Sequence, residues 1–275
     1  MSKPLVSVCI PVNHAWEAIE LCIESIIDRT SEPSYQIIVN DQSGGKGEGN
    51  RLEYLRRHAD DGNIMLIEDD TYVRSDVQNH GKAIQNMMKH VDTQYAMLFE
   101  SDLEVIKSDW LSCLISKMEG DREPQTVLGV SPFCGGRNHW DLRWIAPRYV
   151  PAWMMLDVPA YRTIESDDDW DCSEIPFDAW PYPRVFEGLT PPRKPENGVM
   201  KVFRDTGWRL WETLTFHNPG GLRILPMPTG YVGLRVRHYG GIDRNSYKGE
   251  DDCHIISRRM AIQEQLNILR GRKKA

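Results

Sequence analysis

The stretch that decides the fold is Met97-Leu98-Phe99-Glu100-Ser101-Asp102-Leu103-Glu104-Val105. An apolar run ends there in two acids separated by a single residue. Extended chain alternates its side chains, so Glu100 and Asp102 are expected to point the same way. Upstream, short apolar runs alternate with helical patterns, the signature of parallel β-α-β units. Leu5 to Ile10 predicts a buried strand stopped by Pro11, and Ala15 to Arg29 predicts a helix with Trp16, Ile19, Cys22, Ile23, Ile26 and Ile27 at helical spacing. Tyr35 to Asn40 predicts a second strand, Arg51 to Ala59 a helix, Ile64 to Ile67 a third strand, and Lys82 to Val91 the helix leading into Ala96 to Phe99. This is a doubly wound beginning. Such sheets bind ligands beyond the carboxyl ends of their strands, so the residues after Ile10, Asn40 and Phe99 are expected to face one crevice. Two carboxylates placed there suit a hard divalent cation that takes phosphate oxygens as further ligands.

The composition bounds what that crevice serves. The 275 residues carry 33 Lys+Arg against 40 Asp+Glu, a formal net charge of −7. That balance argues against a chain built to grip nucleic acid or an anionic membrane. A hydrophobic fraction of 40% and a charged fraction of 27% exclude disorder and predict a sizeable core. No apolar run approaches the roughly 18 residues that span a bilayer, and MSKPLVSVCIP lacks a signal-peptide core, so a cytoplasmic location is expected. The six cysteines form no C-x-x-C pair and predict reduced, mostly buried thiols.

Beyond Val130 the texture changes. Pro and Trp become dense from Ser131 to Pro195, which predicts loops shaping an acceptor pocket, with Trp140, Trp144, Trp153, Trp170 and Trp180 either packing or facing the acceptor. Glu165 to Asp171 predicts a solvated acidic loop, Gly198 to Thr206 a helix, Asp252 to Leu269 a C-terminal helix, and Arg270 to Lys274 a frayed basic tail. The expected organisation is one α/β domain over 1–275, with a first half (1–120), a second half (121–250) and a C-terminal helix and tail (251–275).

Several separated motifs resemble the family-2-type glycosyltransferases of the GT-A fold. Val6 to Val12 (VSVCIPV) is similar to that family's first strand. Ile37 to Ser43 (IIVNDQS) is similar to its second-strand motif, with Asn40 at the first aspartate, Gln42 at the glycine and Asp41 retained. Phe99 to Asp102 (FESD) resembles its D-x-D motif with Glu100 at the first position. The resemblance implies a mostly parallel central sheet flanked by helices. It also implies transfer of a sugar, a hexose by expectation, from a UDP-, GDP- or dTDP-sugar to a carbohydrate or other hydroxyl acceptor. Mn²⁺ or Mg²⁺ would be held by Asp102, Glu100 and His238. Donor contacts would fall to Pro11, Asn13, Asp41, Ser43, Glu100 and Ser101, although an aspartate like Asp41 also caps turns in glycine-rich connections.

In the second half the resemblance extends to Pro195-Glu196-Asn197-Gly198, a following helix and a strand opening at Gly207-Trp208-Arg209. Inverting members of the family place their general base at the position of Asn197, where an amide takes no proton. Glu196, another acid, or a retaining reaction would then carry the chemistry. Leu234 to Asp243 (LRVRHYGGID) places His238 at a strand end, and His217 competes for the same slot. Two other classes stand beside the transferase. One is a non-catalytic nucleotide-sugar binder. The other is a nucleotidyltransferase, against which Asn13-His14-Ala15-Trp16 speaks, having neither glycine nor a basic residue after the first strand.

Overall fold

The computed structural model describes residues 3–12, 16–43, 51–69, 79–134, 137–139, 143–167, 169–189, 200–204, 206–217, 220–239 and 253–273. The strands are β1 (Val6–Val12), β2 (Tyr35–Asp41), β3 (Met65–Glu68), β4 (Tyr95–Phe99), β5 (Leu103–Val105), β6 (Val127–Ser131), β7 (Phe133–Cys134), β8 (Arg137–His139), β9 (Arg143–Ile145), β10 (Arg148–Tyr149), β11 (Trp153–Asp157), β12 (Ser173–Pro176), β13 (Lys201–Arg204), β14 (Arg223–Pro226) and β15 (Val236–His238). The helices are α1 (Trp16–Arg29), α2 (Arg51–Asp60), α3 (Asn79–Met88), α4 (Trp110–Glu119), α5 (Val158–Arg162), α6 (Trp208–Glu212), α7 (Tyr231–Leu234) and α8 (Cys253–Lys273).

The central sheet has the order β14-β6-β11-β4-β1-β2-β3. Every neighbouring pair in it is parallel except those made by β11, which runs against both β4 and β6. The chain winds outward from β1 to β3, then returns to place β4 on the other side of β1. The carboxyl ends of β1 and β4 therefore flank a point where the winding reverses, the place where such sheets open a crevice. Both faces of the sheet are covered. Val6, Val8, Ile10, Ile37, Val39, Met97 and Phe99 pack with Ile19 and Ile23 of α1 and Trp110 of α4. Cys9, Ile38, Ala96 and Leu98 pack on the other face with Ile84, Met87 and Met88 of α3. Burial on both sides is why these strands read as continuous apolar runs rather than as alternation.

Pro11 does not stop the first strand. Pairing of β1 with β4 ends at Cys9↔Leu98, while β1 continues against β2 to Val12↔Asp41. The Val12 carbonyl accepts from the Gln42 amide on the β2 side, at 3.0 Å. The backbone of Pro11 therefore faces the other way, where β4 has already ended and a missing N–H leaves no ladder bond unmade.

The second half departs from the sequence reading in five places. The described residues between 131 and 189 are not all loop: β8, β9 and β12 from that stretch join β13 in a small sheet of order β12-β13-β9-β8. Residues 201–204 form β13 and not a helix; four residues, Lys-Val-Phe-Arg, are too few to declare either a helical or a strand period. Gly207-Trp208-Arg209 starts α6 instead of a strand; Gly207 has φ +88°, and a Cβ there would lie 2.1 Å from the Tyr149 carbonyl oxygen. The acidic run is not all solvated. Asp169 is buried and accepts from the Tyr161 hydroxyl at 2.8 Å, and Trp170 is buried beside it.

Trp144 and Trp180 are likewise packed, in a cluster with Phe186, Trp208 and Trp211, which settles them as core; Trp140 lies outside the described residues. The tail is not frayed through Lys273. Helix α8 lays Ile262, Leu266 and Leu269 against Ala18 and Leu21 of α1 and against Tyr239, and Arg270 and Arg272 pair with Glu20 and Asp28 of α1. Among the described residues, no helix is long and apolar enough to cross a membrane.

The α3 face depends on one close approach. A Cβ on Gly81 would lie 1.8 Å from the Trp170 carbonyl oxygen, a backbone atom that cannot swing aside. Gly81→Ala is expected to lower the unfolding free energy by about 1–3 kcal/mol, read as a lower urea midpoint. An unchanged midpoint would show that α3 and the Trp170 segment are not packed this closely.

Candidate metal and donor site

The acids are brought together by a turn. After β4 the Glu100 amide donates to the Ala152 carbonyl at 3.0 Å, and the Leu103 amide donates back to the Glu100 carbonyl at 3.3 Å, so residues 100–103 reverse the chain into β5. Strand alternation, expected from the sequence, is therefore not what pairs Glu100 with Asp102. Strand β5 is tied to α1 through the Val105 amide, which donates to Ser25 Oγ at 2.9 Å.

Strand β15 then pairs antiparallel with β5, setting His238 opposite Leu103 and Arg237 opposite Glu104. One further bond, from the Tyr239 amide to the Asp102 carbonyl at 3.0 Å, closes the ribbon onto the turn. His238 Nε2 then lies 3.3 Å from Glu100 Oε2 and 3.3 Å from Asp102 Oδ1. One ligand atom from each of the three residues falls within 4.8 Å of the others, the one such trio among the described residues. The Trp153 ring stands edge-on to the imidazole, with centroids 5.1 Å apart.

Two carboxylate oxygens and one imidazole nitrogen fit a divalent cation of the Mn²⁺ or Mg²⁺ type. The electrostatics agree. Burial alone would lower the pKa of His238, but hydrogen bonds and charge from Asp102 and Glu100 outweigh it and push the imidazole up to about 10. Cys22 lies beneath the turn, 3.8 Å from the Glu100 carbonyl, and burial together with the charge of Asp102 keeps its thiol protonated.

The other sequence-selected residues lie where the strands end. Asp41 and Ser43 are buried and form a unit: Asp41 Oδ2 accepts from the Ser43 hydroxyl at 2.7 Å and Oδ1 from the Ser43 amide at 3.3 Å. A carboxylate offers about four lone-pair sites, and the two Ser43 bonds engage one on each oxygen. Pro11 is buried at the β1 end beside Asn40, and Ser101 is buried in the acidic turn. His217 is exposed at the end of a π-turn, Thr213–His217, and is not part of the trio. Asn13, Glu196 and Asn197 lie outside the described residues. Sequence reasoning passed over Glu104, because an acid in a short alternating run reads as a solvent-facing position.

Asn40 stands apart. It is fully buried, and neither its amide nitrogen nor its oxygen has a hydrogen-bond partner. Two predictions follow from this geometry. Asn40→Val, which suits a strand and carries no polar side-chain atom, is expected to raise the unfolding free energy by about 1 kcal/mol in urea titration; a loss of stability would mean that the native amide is bonded.

The second concerns pH. A cation must displace the proton from His238 Nε2, whose folded pKa lies above its ordinary value of 6.5. The imidazolium's contribution to metal-free stability is thus complete below pH 6.5 and lost as pH rises through about 10. Cation affinity moves the opposite way. Calorimetric titration with Mn²⁺ from pH 6.5 to 8 should show affinity rising about tenfold per pH unit, and a flat profile would remove His238 from the ligand set.

No curated protein matches the chain. Among solved structures, the mannosyltransferase PcManGT from Pyrobaculum calidifontis in complex with GDP-Man and Mn²⁺ is similar at 16% identity and a TM-score of 0.44, over 76% of this chain and 60% of that one. S. aureus TarS residues 1–349 is similar at 10% identity and a TM-score of 0.38, over 58% of this chain and 48% of that one. Glucosyl-3-phosphoglycerate synthase from Mycobacterium tuberculosis, in complex with phosphoglyceric acid, is similar at 17% identity and a TM-score of 0.35, over 47% of this chain and 44% of that one. The chain thus spans less than two thirds of each. The model of glycosyl transferase family 2 matches residues 7–184, a range that holds Asp41, Glu100 and Asp102, and the chain belongs to that family.

Proposed function

We propose that this chain transfers a sugar, a hexose by preference, from a nucleoside-diphosphate donor to an acceptor hydroxyl, with a divalent cation held by Glu100, Asp102 and His238. The observation that carries the reading is the trio itself, assembled from residues more than a hundred positions apart at the carboxyl end of β4. When bound, Mn²⁺ or Mg²⁺ would neutralise charge developing on the leaving diphosphate.

The chain's own groups do the rest. Asp41, oriented by Ser43, accepts hydrogen bonds from the base or ribose and fixes the nucleotide's direction. Pro11 stands at the start of the same pocket, Asn13 contributes to donor binding, and Ser101 offers a hydroxyl beside the diphosphate. Residues 1–120 form the donor half and 121–250 the acceptor half. Glu196 removes the proton from the acceptor hydroxyl, since Asn197 has no basic atom for it.

Thermal unfolding against UDP-, GDP- and dTDP-sugars, each with Mn²⁺ or with EDTA, tests the reading. A donor at a hundred times its dissociation constant stabilises the fold by about 2.7 kcal/mol. The expected result is a higher midpoint with one nucleotide class that requires Mn²⁺ and disappears in Asp102→Ala; stabilisation that persists in EDTA would remove the cation from donor binding. The amide at Asn197 favours one second reading, a nucleotide-sugar binder without turnover, which any product formed from the stabilising donor would exclude.

A further inference from the structure

We propose that Glu104 is a positioning residue for the cation site, acting on His238 through Arg237 and Tyr239; the inference rests on the cation reading above. His238 sits on a short support. Strands β5 and β15 form a two-stranded ribbon outside the central sheet, with three residues in each strand. Two-stranded ribbons are marginal in isolation. Backbone pairing alone therefore does not explain an imidazole fixed between two carboxylates.

The side chains supply the rest. Glu104 is 5% exposed, and its Oε2 accepts from Arg237 Nη1 at 3.0 Å and from the Tyr239 hydroxyl at 2.8 Å. Arg237 Nη1 also lies 3.3 Å from the Tyr239 hydroxyl, closing a triangle. The residues on both sides of His238 in sequence are thus pinned to one oxygen. Side chains alternate along a strand, so pinning Arg237 and Tyr239 on one side directs His238 to the other. That other side carries Glu100 and Asp102. The Tyr239 ring is held in turn by Leu266 and Leu269 of α8 and by Leu21 of α1. A charge-assisted bond to a buried carboxylate is stronger than its neutral counterpart, and a ligand whose supports are fixed loses less freedom when it binds metal.

The test measures Mn²⁺ binding to the metal-free protein by calorimetry, without reference to turnover. Glu104→Met keeps length and volume but removes the acceptor, and should weaken Mn²⁺ binding about 10- to 100-fold. Glu104→Gln keeps an oxygen able to accept both bonds and should stay within about threefold of wild type. Tyr239→Phe keeps the ring in its cluster, deletes one bond and should cost about fivefold; it serves as the measure where Glu104→Met does not fold. Gly81→Ala, whose added Cβ meets Trp170 and Asp171 rather than a residue of the ribbon, should leave Mn²⁺ affinity unchanged and so separates positioning from general destabilisation. Wild-type affinity in Glu104→Met and Tyr239→Phe, or an equal loss in Gly81→Ala, overturns the proposal. Absence of Mn²⁺ binding in the wild type, shared with Asp102→Ala, overturns the cation reading itself and this inference with it.

Discussion

The site depends on the antiparallel pairing of β5 with β15. The strands that precede β5 all belong to the central sheet, where each is flanked by other strands and helices cover both faces. The ribbon is different. It carries residues 236–238 back to residues 103–105 and is the reason that an imidazole meets two carboxylates at all. The turn at Glu100–Leu103 aims the acids, Ser25 anchors β5 to α1, and α8 covers Tyr239. Each of these contacts concerns the ribbon more than the sheet.

The sequence makes the sheet legible and the ribbon only partly so. The four parallel strands β1 to β4 appear as apolar runs because both of their faces are buried, and the helices between them appear through their apolar spacing. Glu100 and Asp102 announce themselves as acids at the end of such a run. His238 was reachable only through a family pattern, since nothing local distinguishes it from the exposed His217. Glu104 could not be found at all by periodicity: its partners lie 133 and 135 residues away, and pairing at that distance leaves no trace in a local window.

The second half misled for a related reason. Dense Trp and Pro suggest open loops, yet Trp144, Trp170 and Trp180 are core residues in segments whose strands are only a few residues long. Short strands carry too few alternations to declare themselves, and their apolar content is concentrated in large rings instead. Asn40 is the opposite case. Its amide is at odds with its surroundings, and the local rule it breaks is the satisfaction of buried polar groups. Such violations cluster where function constrains a sequence, and Asn40 lies directly before Asp41.

The docking of α8 on α1 has a temporal consequence. Arg270 and Glu20 are 250 residues apart, and the Tyr239 ring that steadies the ribbon is packed by the same helix. During synthesis β1 to β4 and the acids of residues 100–102 emerge well over a hundred residues before β15 and α8 exist. A nascent chain therefore holds two uncompensated carboxylates in an incomplete crevice. Its histidine arrives only with the last elements described here, so the carboxylate–imidazole trio is completed late and as a single step, after the strands that lead into its acids are already made.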